Sequence, residues 1–174
     1  MAYAVFSVVF GEQPSAAKWT ILGTNYSYCY SFLGDNLAWQ SWTPTLSGRF
    51  DNAKWTKTCK YIQIVKTVHF SFKIVASTTS PMSGGSTDCI FTLPVTAATG
   101  YTGTDQNALI GTGGIYDSGT ALYQATVGIN SSNYTSARIR FAGGSGGLEA
   151  ITSTAPMTWT TSDEITVTGT YEAA

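Results

Sequence analysis

The chain has 174 residues, a net charge of −1 and 11% charged residues, against about 25% in an average soluble domain. That length suits a single domain, which buries about 70% of its unfolded surface and needs no disulfide or metal staple. No basic stripe exists to face a phosphate backbone, so nucleic acid is excluded as a favoured partner.

The first thirteen residues, MAYAVFSVVFGEQ, hold a short apolar run with no basic residue ahead of it. This does not read as a signal peptide. No apolar run approaches the roughly 20 residues that span a membrane as a helix.

Residues 14–33 are the one good helix candidate. Pro14 and Ser15 are start signals, and Gly34 is the expected stop. Trp19, Leu22, Tyr26, Cys29 and Leu33 recur at spacings of 3, 4, 3 and 4, an a/d stripe over two heptads. Gly23, Thr24 and Asn25 weaken its middle. A helix this short needs a partner. Either the stripe joins copies of the chain or it packs on the chain's own sheet.

Trp39 and Trp42 follow in the stretch WQSWTPTLSG. If residues 39–46 are extended, Trp42 and Leu46 share one face and Trp39 lies on the other. Trp42 is therefore assigned to the core. Trp39 is assigned to the junction with the helical segment or to a neighbouring subunit. Pro44 has no N–H to donate, so this strand should be an edge or begin irregularly.

From here the hydrophobic period is two. Val68, Phe70, Phe72 and Ile74 alternate with polar residues. So do Ala121, Tyr123, Ala125, Val127 and Ile129; then Ala137, Ile139 and Phe141; then Ile165, Val167 and Tyr171. Each run reads as a strand with one buried and one wet face. Shorter runs at 53–64, 88–95 and 107–116 bring the set to about eight. Asp117-Ser118-Gly119 should close a hairpin. Two Gly/Ser-rich stretches, 83–86 and 143–147, read as loops. The fold class is mainly β: an antiparallel sandwich or jelly roll with a short N-terminal α-helix. Residues 1–36 form the segment with the oligomerising helix, and 37–174 the β-domain. No internal repeat points to a propeller or solenoid.

Few residues carry an obvious chemistry. Cys29, Cys59 and Cys89 are odd in number and lack metal-ligand spacing, so they read as buried thiols. His69 is the one histidine, on the polar parity of its strand. Asp163-Glu164 is the one adjacent acid pair, and it opens the last strand. Gly111-Thr-Gly-Gly lacks the lysine of a phosphate loop and reads as a bend within a strand. Three Asn-X-Ser/Thr stretches, at Asn25, Asn130 and Asn133, read as coincidence without a secretion signal. No catalytic set, metal site or cofactor is implied. The loops, rich in Tyr, Thr, Asn and Gly, suit sugars through ring stacking and hydroxyl pairing. The candidate ligand-binding residues are Tyr101, Asp105, Asn133 and Tyr134.

Four stretches, in order, resemble the tail-fibre and tail-associated proteins of tailed bacteriophages and prophages. These are GEQPSAAKW (11–19), W-x-x-W-T-P-T-L (Trp39 to Leu46), K-Y-I-Q-I-x-K-T-V-H-F (Lys60 to Phe70) and I-T-V-T-G-T-Y-E (Ile165 to Glu172). The resemblance implies a receptor-binding module of the virion. It implies a homotrimer joined to other tail proteins, made in the host cytoplasm, that contacts a bacterial surface polysaccharide or protein. It supplies no catalytic residues. Such sequences usually have glycine where Val65 stands, so the turn before Lys66 is expected to be of another type. They often have asparagine where Thr20 stands. The interface residues would be Trp19, Leu22, Tyr26, Cys29, Leu33 and Trp39. The alternatives are a virion-associated glycan-degrading enzyme, which needs two facing carboxylates, and a decoration protein that binds no receptor.

Overall fold

The computed structural model describes residues 15–36, 38–84, 88–101, 108–130, 133–144 and 146–174, with backbone alone for 28–36 and 130. The chain divides between Ala38 and Trp39 into two compact units.

The first unit carries one helix, α1 (Ala16–Asn36). Ser15 starts it: its Oγ accepts from Lys18 N at 3.3 Å, and its carbonyl accepts from Trp19 N at 3.1 Å. The first bond satisfies an N–H of the first turn that has no partner inside the helix, and the second is the first i→i−4 bond. The hydroxyls of Thr20 and Thr24 donate to the carbonyls four residues back, at 2.9 Å each. The expected stop at Gly34 is corrected, because the helix continues through Gly34 to Asn36. Glycine permits the left-handed turn that ends a helix but does not impose it.

The second unit is mainly β: one antiparallel sheet curled into a half-barrel. Its strands are β1 (Gln40–Trp42), β2 (Leu46–Gly48), β3 (Trp55–Lys57), β4 (Cys59–Ile64), β5 (Thr67–Ala76) and β6 (Cys89–Thr92). There follow β7 (Leu109–Asp117), β8 (Ala121–Asn130), β9 (Asn133–Ala142), β10 (Leu148–Ala150) and β11 (Glu164–Glu172). The main path runs β1-β4-β5-β11-β7-β8-β9-β6-β2, with β3 on β5 and β10 on β9. The described sheet thus has eleven strands where the sequence suggested about eight. The count rises because 39–46 divides into β1 and β2, 53–64 divides into β3 and β4, and β10 is new; β1, β2, β3 and β10 are three residues each, too short for a period of two to show.

The stretch 39–46 is not one strand. β1 pairs with β4 and β2 pairs with β6, at opposite ends of the path. The break falls at Thr43–Thr45, around Pro44, which cannot donate to a ladder. Thr45 N instead donates to Thr92 Oγ1 at 2.9 Å, and Leu46 N to Asn52 Oδ1 at 2.8 Å.

The β7–β8 hairpin closes as expected. Thr120 N donates to Asp117 O at 2.9 Å, and Gly119 takes φ +84°. The β4–β5 turn is a correction. Val65 itself adopts φ +57° and is 79% exposed. The turn keeps the left-handed residue that glycine would suit, with a β-branched side chain in its place. Val65→Gly is therefore expected to stabilise the β-unit by about 0.5–1 kcal/mol, after the entropy cost of glycine is offset. A higher urea midpoint with an unchanged slope checks this, and a lower midpoint would refute it.

Alternation buries one face almost completely. Val68, Phe70, Phe72, Ile74, Val127, Ile129, Ile139, Ile165 and Val167 are each no more than 1% exposed. Each such side chain contributes about 1.5–3 kcal/mol relative to exposure. Trp42 packs against this core, with its ring 6.4 Å from Phe70, 6.1 Å from Phe72 and 5.9 Å from Phe91. Tyr171 clamps the segment after β6. Its hydroxyl donates to Val95 O at 2.7 Å and accepts from Val95 N at 3.2 Å, and burial pushes the phenol pKa up. Cys59 and Cys89 are free, buried thiols, both pushed up in pKa by burial.

Candidate functional site

The face opposite the core is where strand register gathers side chains from distant parts of the chain. Ile62 pairs with His69, and His69 with Thr170. Trp39, one residue ahead of β1, continues this row, because Gln40 pairs with Tyr61. The neighbouring row runs Lys60, Ser71, Thr168, Thr112, Thr126 and Arg140 across six adjacent strands. Five steps of about 4.8 Å make it about 24 Å long.

The first row forms an open depression of about 400 Å³. Trp39, Ile62, His69 and Thr170 line its sides, and Thr168 lies at one end. Phe70 and Gly169, a cross-strand pair of core parity, also border it, and a Cβ at Gly169 would come within 2.6 Å of the Phe70 ring. His69 Nδ1 and Thr170 Oγ1 are hydrogen-bonded at 2.8 Å. The bond fixes the imidazole on the strand face. Trp39 is 50% exposed, and Lys60 Nζ sits 5.1 Å from its ring centroid. That cation–π contact holds the indole in place without a packed neighbour over all of it.

A second depression, of about 340 Å³, lies further along β11. Thr112, Tyr116, Leu122, Glu164 and Thr166 line it, and Thr168 belongs to both depressions. Leu122 is 72% exposed and folds over Gly114, where a Cβ would meet its Cδ1 at 2.8 Å. Glu164 accepts from Lys73 Nζ at 2.6 Å and from Thr166 Oγ1 at 2.6 Å. These bonds, Lys73 first, hold its carboxyl below the ordinary value of 4.5.

Two of the loop residues named from the sequence, Tyr101 and Tyr134, serve the packing of the 95–101 segment. Tyr101 is half-buried, and its hydroxyl accepts from Glu172 N at 2.8 Å. Tyr134 packs against the core, and its carbonyl accepts from Ala97 N at 2.9 Å. Asn133 is exposed, with its Oδ1 taken by the backbone N–H (3.0 Å) and the hydroxyl of Thr135. Asp105 lies outside the described residues. On α1, Trp19, Leu22 and Tyr26 are 58%, 40% and 68% exposed. The side chains of Cys29 and Leu33 lie outside the description.

Four of the described acids, Asp51, Asp88, Asp163 and Glu164, are held by the fold. Asp88 receives Arg138 Nη1 at 2.7 Å and Arg140 Nη2 at 3.0 Å, and Asp51 pairs with Lys54 at 3.2 Å. Asp163 is fully buried beneath two loops. Among the described residues no cluster of His, Cys, Asp and Glu is arranged to hold a metal ion. What the outer face offers is ring surface beside hydroxyls and an imidazole, the chemistry of stacking and hydrogen bonding. Sequence reasoning missed this row because His69 meets Thr170 across 101 residues. The one local signal was the polar parity of His69.

No family model, curated protein or solved structure matches the chain.

Proposed function

We propose that the chain is a structural and adhesive virion component. It is a bacteriophage tail-fibre or receptor-binding module, trimeric through α1, that contacts glycan on a bacterial surface. The observation that carries this reading is the stripe on α1. Trp19, Leu22 and Tyr26 stand at spacings of 3 and 4 on a 21-residue helix, and all three are exposed. Large apolar side chains in heptad register are supported in water by burial against other helices. The four ordered stretches that resemble tail-fibre proteins agree with it. A sandwich or jelly-roll arrangement of the β-unit is part of the same reading. It is supported by Phe72 on β5 and Phe91 on β6, whose rings lie 4.4 Å apart although their strands are far apart on the sheet path.

Light scattering at micromolar concentration tests the assembly. The expected mass is three chains, falling to one when Leu22→Glu places a charge in the stripe. A monomeric wild-type chain would overturn the trimer, and a Leu22→Glu variant that stays trimeric would remove α1 as its cause.

A further inference from the structure

We propose that the Trp39–His69 depression on the outer sheet face is a subsite for a neutral sugar ring, and that an extended saccharide continues from it along β11. The inference rests on the adhesive reading for the glycan's source, and it moves the contact from the loops to the sheet. It also reverses the assignment of Trp39 to a subunit interface.

Three features of the depression select this ligand. The first is the indole, half in water and already held by Lys60. A ring fixed before binding loses little freedom when a pyranose C–H face stacks on it. The second is the pair beside it. His69 and Thr170 bond each other at 2.8 Å through Nδ1 and Oγ1, which leaves Nε2 of the imidazole for a sugar hydroxyl. The third is charge. The lining itself holds no carboxylate, ammonium or guanidinium group, and the Lys60 ammonium beside it is engaged by the indole, so a neutral sugar fits it better than an acidic one. Lys60 stands outside the lining and is a positioning residue for the ring.

Length comes from β11. Glu164, Thr166, Thr168 and Thr170 occupy alternate positions on its outer face, and six residues of strand span about 20 Å. Thr168 lies in both depressions, and Tyr116, 45% exposed, offers a second ring at the far end. The arrangement is a track of hydroxyls with an aromatic platform at each end. It suits an extended chain of sugars more than a single one.

The test is a panel of neutral hexasaccharides (gluco-, manno-, galacto- and N-acetylglucosamine chains) beside an oligogalacturonate, titrated against the full chain by calorimetry and indole fluorescence. At least one neutral oligomer is expected to bind, with oligogalacturonate weaker. Trp39→Ala should weaken binding about tenfold or more, and Trp39→Phe should restore most of it. Thr170→Val should weaken it several-fold, and Trp19→Ala should leave the affinity per chain unchanged. Thermal unfolding must show that the variants remain folded. If Trp39→Ala does not fold, the fluorescence response to the sugar must persist when each of the other four tryptophans is replaced singly with Phe, which leaves Trp39 as its source. Unchanged affinity in Trp39→Ala, or a preference for oligogalacturonate, overturns the subsite. Binding to intact bacteria with no oligomer bound also overturns it, but leaves the adhesive reading standing. Loss of both cell and oligomer binding overturns the adhesive reading as well.

Discussion

Gly169→Ala is expected to destabilise the β-unit by about 3 kcal/mol, at the upper end of the cost of overpacking a well-filled core. Gly169 pairs with Phe70 on one side and Gly111 on the other, in the middle of the sheet. A Cβ there would lie 2.3 Å from Ile110 O and 2.6 Å from two atoms of the Phe70 ring. Neither neighbour can yield cheaply. Ile110 O is backbone, and Phe70 is 1% exposed and packed against Trp42, Phe91 and Tyr171. The cause is close approach, since Gly169 is not among the positive-φ glycines. The measurement is the urea midpoint of the full chain with an unchanged slope. A loss below about 0.5 kcal/mol, the range of an ordinary surface change, would mean that β11 and β7 do not meet in this register. The proposed sugar subsite depends on the other pairing of β11, with β5, which sets Thr170 against His69.

The sequence made the buried face legible and left the outer face obscure, for a physical reason. Burial follows from alternation, which is local: Val68 to Ile74 announce their face without reference to any other strand. Parity alone also separated the two tryptophans correctly, Trp42 inward and Trp39 outward. What parity cannot supply is the identity of the neighbour. The row from Trp39 through Ile62 and His69 to Thr170 exists only because β5 pairs with β11, and nothing near His69 encodes Thr170. Short elements were lost for a related reason. β1 and β2 hold three residues each and take their form from β4 and β6. Val65 shows the reverse case. Its β-branched side chain argued against a left-handed turn, yet the ladder on either side of the two-residue turn fixes the backbone there. Pairing across β4 and β5 outweighs about 1–2 kcal/mol of local preference.

Asp163 is the other residue whose role the sequence concealed, and Asp163→Ala is expected to cost about 3 kcal/mol. Read locally, it is a turn residue ahead of a strand. In the fold its side chain is completely buried. Oδ1 accepts from Ser118 N at 3.0 Å and from Thr160 Oγ1 at 3.3 Å, and Oδ2 accepts from Thr160 N. One carboxylate therefore joins the β7–β8 turn to the loop that leads into β11. The backbone around it is committed as well: Ala76 N donates to Asp163 O at 2.8 Å, and Ser162 N to Ala76 O at 2.9 Å. These bonds hold the position while the side chain is removed. Alanine then leaves two backbone N–H groups facing an empty acceptor site, each costing about 1–3 kcal/mol unless water enters. Both loops lie at the surface, so water recovers part of this, and the sum stays near a single full penalty. Asp163→Asn separates shape from acceptor count. It keeps one oxygen but turns an NH2 group toward an N–H donor, so it should restore no more than about half of the lost stability. Amide exchange gives the local readout. Ser118 and Thr160 should exchange faster in the alanine variant, while the β5 amides keep their order of protection. Wild-type stability in Asp163→Asn would show that the second oxygen contributes nothing, and unchanged exchange at Ser118 would show that the two loops are not joined through this carboxylate.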